Sequence, residues 1–323
     1  MAHVIEKDYA FFASNTPAWH GIGHVLKDAP TPYEAWKLAY PFEVFELEVQ
    51  ASIEGQTIPA SNYKAIARYN PEDPNDTPKI LGIHSQRYGL TEPAEIFSRF
   101  EPLIETGLVT LEAGGSLHDG AQMWALGKIT GADLEVVPGD PIKGYLLFQT
   151  SFDGSLVAGA GLTGVRVVCA NTLAMARRDL SLKAKHTRRV NERLDQYRDQ
   201  VLATIQGFKE TAEKYKHLAG RAVSRKNQED YVRTVIAPES VDPSVEISTK
   251  LENKVRTVID MLDTQRGLEL VPRIRGTAWQ AYNAVSEYIT HEAGRSIDAR
   301  LSSQWFGPGV SMNNRALDLA LSL

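Results

Sequence analysis

Phe42-Glu43-Val44-Phe45-Glu46-Leu47-Glu48-Val49 shares Phe, Val and Leu with Glu at a period of two, so one face of the segment is apolar and the other acidic. That is the pattern of a half-buried β-strand. On its C-terminal side, Ser61 to Tyr69 and Lys79 to Tyr88 read as the next two strands. Between them Asn70-Pro71-Glu72-Asp73-Pro74-Asn75-Asp76-Thr77-Pro78 is a polar, exposed loop, because proline and Asp/Asn residues favour turns over ladders. Thr91 is the expected cap of a helix over Glu92 to Thr106 that stops before Gly107. Further strands are predicted at Leu108 to Glu112, Ala121 to Ile129, Lys143 to Thr150 and Leu156 to Ala158. His118-Asp119-Gly120 reads as a tight hairpin turn, with Asp-Gly supplying the positive φ needed there. Several of these strands are hairpin neighbours, so the sheet is expected to be largely antiparallel.

After Gly164 the pattern turns helical. A helix is predicted over Val165 to Arg178, and a much longer amphipathic one near residues 186–222. Apolar or small residues recur at threes and fours at Val190, Leu194, Tyr197, Val201, Ile205, Phe208, Ala212, Tyr215, Ala219 and Ala222. Such a helix would be roughly 50 Å long. Its seam suits packing on the chain's own core, the ordinary use of an amphipathic face, or a homo-oligomer contact. Ile236-Ala237-Pro238-Glu239-Ser240-Val241-Asp242-Pro243 separates it from a helical pattern at Glu246 to Leu262. Two more helices are expected at Thr277 to Thr290 and Ser311 to Leu323, with Gly307-Pro308-Gly309 between them. The fold class is therefore α+β: residues 1–164 form a mainly antiparallel β region with one helix, and residues 165–323 a helical region.

The chain has 323 residues, 43% of them hydrophobic and 23% charged, an ordinary soluble globular composition. No stretch is long and apolar enough to span a bilayer, so no membrane partner is expected. The N-terminal residues Met1 to Asp8 lack a basic region followed by an apolar run, so a secretory signal is not expected. The single cysteine, Cys169, excludes an intrachain disulfide framework and a Cys-rich zinc site, in keeping with a reducing cytoplasm.

Charge is segregated along the chain. From Arg177 to Arg198, eight Lys and Arg meet three acids, a net of +5, while the chain as a whole carries −5 and its remainder −10. Arg177, Arg178, Lys183, Lys185, Arg188, Arg189, Arg193 and Arg198 are the candidate nucleic-acid-binding residues, with His186 and Tyr197 nearby. Neutralising phosphates with such cations releases counterions, which makes binding steeply salt-dependent. A pI near 5.9 is not the footprint of a strong duplex binder. A single strand held in a local groove with stacked aromatics fits better.

Other motifs have bland and functional readings. Gly159-Ala160-Gly161-Leu162-Thr163-Gly164 satisfies G-x-G-x-x-G, with Asp179 twenty residues beyond Gly159, the pattern of a dinucleotide fingerprint. It reads first as a Gly-rich turn from strand to helix, and the free N–H groups of the following helix would suit a phosphate. His20 and His24 are four apart, but Gly21 and Gly23 argue against a shared helical face; adding His84 and His118 has no support in spacing, so no metal site is assigned. Trp279, Asn283, Glu287 and His291 recur every four residues and form a stripe along one helix. Either the stripe holds a ligand, with Glu287 orienting His291 as a general base, or it is packing and hydrogen bonding to a loop. There is no nucleophile elbow and no P-loop, so no catalytic residue and no cofactor is assigned.

Several strings together resemble one family: Trp19-His20-Gly21-Ile22-Gly23, Leu81-Gly82-Ile83 with Arg87-Tyr88, Arg166-Val167-Val168-Cys169-Ala170-Asn171-Thr172-Leu173, Gly276 to Val285 with Glu287-Tyr288 and His291, and Trp305-Phe306-Gly307. Over nearly the whole chain they resemble the phage- and plasmid-borne family called domain of unknown function 932. The resemblance implies a mobile-element protein acting in a bacterial cytoplasm near DNA replication, recombination or host-defence evasion, and it brings no catalytic residues. The sequence therefore predicts a non-enzymatic accessory protein that binds or handles single-stranded nucleic acid through its basic stretch. The alternatives are a module that docks a host factor through the same stretch, and an enzyme using Glu287 and His291.

Overall fold

The structure is a computed structural model and describes residues 10–13, 23–156, 158–166, 171–173, 182–184, 198–242 and 245–323. Two compact units interleave along the chain: Met1–Thr130, Leu146–Gly161 and Leu180–Leu202 form the first, and Gly131–Tyr145, Leu162–Asp179 and Ala203–Leu323 the second. The division expected at residue 164 is therefore crossed twice. The reason lies in the β hairpin around Val136 to Asp140, whose end is built into the second unit: Asp140 bonds to Trp279, and Phe208 packs against Gly144.

The strands and early helices are β1 (Ala10–Ala13), β2 (His24–Leu26), α1 (Pro32–Ala39), β3 (Glu43–Ile53), β4 (Gln56–Tyr69), β5 (Lys79–Ser85), α2 (Pro93–Ser98), α3 (Glu101–Glu105), β6 (Val109–Leu117), β7 (Gln122–Glu135), β8 (Pro141–Ser151), β9 (Ala158–Arg166), β10 (Asn171–Leu173) and β11 (Leu182–Ala184). They are followed by α4 (Arg198–Gly220), α5 (Arg225–Ile236), α6 (Thr249–Thr264), α7 (Ala278–Glu287), α8 (Ile297–Phe306) and α9 (Pro308–Ala320). The α+β class holds, with antiparallel sheets in the N-terminal half and helices in the C-terminal half.

The larger sheet, most of it in the first unit, has the order β10-β9-β8-β7-β6-β1-β2, with β11 paired antiparallel to the start of β9. The β1–β2 pair is parallel; β1–β6 and β6–β7 are antiparallel. Phe11, Phe97, Phe100, Trp124 and Phe152 are buried in this unit. Gly127 makes room for one of them, since a Cβ there would stand 2.5 Å from the Phe100 ring. A second, three-stranded antiparallel sheet, β3-β4-β5, extends beyond the predicted strands. Glu54 and Gly55 both take positive φ, which closes a two-residue hairpin of the kind that matches strand twist. The added residues 50–60 are solvated on nearly every side, so they carry no alternation to read.

The predicted helix Glu92 to Thr106 is instead two short helices. Pro102, near the start of α3, has no N–H for an i−4 bond, so the ladder breaks at Arg99 and Phe100. Glu92, not Thr91, occupies the cap position, and Gly107 ends the segment at φ +71. The helix predicted over Val165 to Arg178 gives way to sheet: β9 runs on to Arg166 and β10 returns antiparallel, with Asn171 opposite Arg166 and Leu173 opposite Gly164. Thr163, Val165 and Thr172 are β-branched, and a short apolar run has no period that separates helix from strand until a neighbouring strand claims it. Arg177 and Arg178 lie outside the described residues.

The second unit is organised around α7, all ten residues of which are buried. The helices α5, α6 and α9 pack on it. Caps set the starts: Ser224, Ser248, Thr277 and Ser296 each accept from a backbone N–H of the first turn of α5, α6, α7 and α8. The helix expected from Ser311 starts earlier, because Pro308 suits a first-turn position. Of the long helix predicted near 186–222, Arg198–Gly220 is observed, and the earlier residues lie outside the described ones. Its seam residues Phe208, Ala212 and Tyr215 are buried within this unit, with Tyr215 against the rings of Trp279 and Tyr282. Those three therefore serve the chain's own core. Among the described residues no helix is long and apolar enough to cross a membrane.

Candidate functional site

The stripe of Trp279, Asn283, Glu287 and His291 does lie along one helix and the π-turn that ends it, but Trp279, Asn283 and Glu287 are buried. Trp279 is fully buried and its Nε1 donates to Asp140 Oδ2 at 2.8 Å. Asn283 Nδ2 donates to the Trp279 carbonyl one turn back at 2.8 Å. At Tyr288 the helix widens into a π-turn over Tyr288–Glu292. Glu287, just before it, accepts at Oε2 from the Arg266 backbone N–H at 2.8 Å, and its Oε1 lies 3.7 Å from Arg266 Nε.

His291 meets the same arginine, with Nδ1 3.3 Å from Arg266 Nη1. A guanidinium only donates, so Nδ1 accepts and the remaining ring proton sits on Nε2. For Glu287 to orient His291 as a general base, its carboxylate would accept from an imidazole N–H. Arg266 engages both groups instead, and the arrangement ties the segment after α6 to the end of α7. Burial, with the nearby Glu292 charge, pushes the Tyr288 phenol up.

Arg266 was not legible as part of this set, and neither was the amide network beside it. Gln280 Oε1 accepts from the Gly276 N–H at 2.6 Å and from Gln228 Nε2 at 3.1 Å, while its Nε2 donates to the Leu262 carbonyl at 2.6 Å. Gln265 Nε2 donates to the Gln280 carbonyl at 3.2 Å. Three glutamines thus join α5, α6 and the start of α7.

In the first unit, His118-Asp119-Gly120 is the expected hairpin turn, with φ values of 54°, 59° and 83°. Beyond closing a hairpin, it receives Arg68. That side chain is 1% exposed, and its Nε donates to the Asp119 carbonyl at 3.0 Å, its Nη1 to Asp76 Oδ2 at 3.0 Å and its Nη2 to Asp119 Oδ1. Lys79 Nζ donates to Asp119 Oδ2 at 2.8 Å, and the guanidinium stacks over Phe42. Burial pushes the Asp119 carboxyl up, but the hydrogen bonds and charges of Lys79 and Arg68 outweigh it and hold the group below the ordinary aspartate value. The signal was present: Arg68 follows the buried Ala65-Ile66-Ala67 at the apolar end of β4.

The remaining sequence candidates separate. Gly159 to Gly164 lie inside β9, with Gly159 opposite Lys183 and Gly164 opposite Leu173, so the run is neither a strand-to-helix turn nor a dinucleotide loop. Val165 and Arg166, which were to open a helix whose N–H groups suit a phosphate, continue β9 instead. His20 lies outside the described residues. His24 is in β2, and His84 in β5 stacks on Tyr88 at 4.0 Å, with Nε2 2.8 Å from the Phe152 carbonyl oxygen. Among the described residues no group of three or more His, Cys, Asp or Glu is placed to hold a metal ion.

Of the basic stretch, Lys183 is on β11 and Arg198 is the first described residue of α4. Arg177, Arg178, Lys185, Arg188, Arg189 and Arg193 lie outside the described residues.

Residues 80–305, well over half of the chain, match the family model described as Domain of unknown function (DUF932). The chain belongs to the DUF932 family. The matched segment runs from β5 to α8, so β3 and β4 precede it, and the extent is shorter than the near-complete one that the local strings implied. No curated protein and no solved structure matches this DUF932 chain.

Proposed function

We propose that this DUF932 protein is a non-enzymatic accessory protein of a phage or plasmid that binds single-stranded nucleic acid in a bacterial cytoplasm. The observation that carries the reading is the charge segregation: a net of +5 between Arg177 and Arg198 in a chain that is otherwise −10. The long-range interaction between an acidic protein and a polyanion is repulsive, so contact depends on a local cluster of cations, and a flexible single strand fits such a cluster more readily than a rigid duplex. Two members of the stretch, Lys183 on a paired strand and Arg198 on a helix, belong to regular elements, which supports the reading. The engagement of Glu287 and His291 by Arg266 argues against their use as a catalytic pair.

Fluorescence anisotropy of a labelled single-stranded oligonucleotide, titrated across a salt series with duplex as comparison, tests the reading. Binding is expected to prefer the single strand and to fall steeply with salt. Arg188→Glu with Arg189→Glu should abolish it. Absence of binding at low salt sinks the proposal.

A further inference from the structure

Two basic segments of the second unit lie far apart in the sequence and side by side in the fold. Arg221-Ala222-Val223-Ser224-Arg225-Lys226 links α4 to α5, and Val271-Pro272-Arg273-Ile274-Arg275-Gly276-Thr277 leads into α7. Together they hold five cations and no acid, in a chain whose net charge is −5. Backbone hydrogen bonds join them: the Val223 N–H donates to the Gly276 carbonyl at 2.7 Å and the Ala278 N–H to the Arg221 carbonyl at 3.0 Å, around an antiparallel bridge between Ala222 and Thr277. The Thr277 N–H donates back to the Ile274 carbonyl at 3.2 Å, closing a turn with Arg275 at ψ 135° and Gly276 at φ +71° on its corners. That is the backbone of a type II turn, in which glycine supplies the positive φ of the second corner. Ile274 is buried, and Arg273 and Arg275 on either side of it are both exposed.

The neighbours of these cations decide which are available. Arg225 is consumed, with Nε 2.7 Å from Glu229 Oε1 and Nη1 2.9 Å from Asp263 Oδ2. Arg221, Lys226, Arg273 and Arg275 form no ion pair among the described residues, and the next acids along the chain, Asp230 and Glu269, pair with none of them. Lys226, Arg273 and Arg275 are exposed and Arg221 is half-buried. Like charges held together by the backbone repel one another, and a polyanion laid across them relieves that repulsion and releases its own counterions. Three of the four are arginines, whose planar fork matches phosphate oxygens. A protein partner calls for buried apolar anchors, and neither segment exposes a large apolar side chain; Leu270, just beyond one of them, is a single exposed aliphatic of the ordinary kind. We infer that Arg221, Lys226, Arg273 and Arg275 grip the sugar-phosphate backbone of a single-stranded nucleic acid, as a contact surface additional to the stretch from Arg177 to Arg198. This rests on the nucleic-acid reading and extends it to residues outside that stretch.

Fluorescence anisotropy of a labelled single-stranded oligonucleotide with the full chain, over a salt series, tests it. Arg273→Glu with Arg275→Glu should weaken binding about tenfold, and the fall of log K with log salt should become shallower by about 1.4, the share of two single-strand phosphates. Lys226→Glu should flatten it by about half as much. Arg273→Lys with Arg275→Lys should keep the wild-type slope, because the number of charges is unchanged. All three positions are exposed, and an unchanged near-ultraviolet circular dichroism spectrum checks that each variant is folded. Wild-type binding that both Glu variants leave unchanged in affinity and slope overturns this inference and leaves the nucleic-acid reading standing. A wild type that binds no strand at low salt removes both. An oligo-glutamate peptide that binds as tightly as the strand, and is lost with Arg273→Glu and Arg275→Glu, also overturns it, because the occupant is then an acidic protein segment.

Discussion

Arg68 in the first unit ties β4 to two turns with a charged side chain, whereas Gln280 in the second ties three helical segments with a neutral one. Both are buried, and both satisfy backbone groups far away in sequence. The difference is in what burial demands. A buried guanidinium must be met by carboxylates and carbonyls on all sides or it costs several kcal/mol. The turn that meets it holds three successive residues at positive φ, two of them not glycine, and such backbone persists only where its surroundings over-determine it. Gln280 requires no strained segment, because amide donors and acceptors match the ends of helices as they stand.

The comparison can be broken most forcefully at Arg68. Arg68→Ala leaves Asp76 and Asp119 without their shared partner, and a loss of about 3–5 kcal/mol in unfolding free energy is expected, measured by urea denaturation. A loss below about 1 kcal/mol would mean the clamp is ornamental. Gln280→Leu keeps the volume but strands the Gly276 N–H, the Gln228 amide and the Leu262 carbonyl, and should cost about 2–4 kcal/mol. Its effect should be the same at pH 4 and pH 7, since no titrating group is involved.

The smallest effect separates the two regions by pH. A carboxyl whose pKa is lower folded than unfolded stabilises the fold above the unfolded value, near 3.9, and the contribution is lost as pH falls through the folded value. Asp119 is such a group. Wild type should therefore be more stable than Asp119→Asn at pH 6, with the gap closing below about pH 4. Asp119 is partly exposed, so the gap should also shrink in high salt. A pH-independent gap would assign the stabilisation to the shape of the turn and not to the carboxylate charge.

These two regions also differ in how far they could be read from the chain. The strands from Phe42 to Tyr88, the turn at His118 to Gly120 and most helices after Pro243 were legible, because alternation, Asp-Gly and helical periodicity act within a few residues. Pro102 announced a break inside a helix that its neighbours otherwise favoured, and α8 was missed altogether. The run Gly159 to Gly164 misled, since its spacing matches a fingerprint whose meaning depends on a following helix, and the chain supplies β10 instead. In the stripe on α7, the spacing was right and the chemistry was not: Arg266, twenty-one residues before Glu287, takes up both the carboxylate and the imidazole.

Local chemistry by itself determined the class, the order of most elements, the segregation of charge and the turns that glycine and proline impose. Only the tertiary structure decided that Arg68 is clamped, that Gln280 joins three segments and that Gly159 to Gly164 lie within a strand. The physical reason is that hydrogen bonds and burial depend on partners tens of residues away, and the same side chain is a ligand, a clamp or plain packing according to which partner the fold delivers.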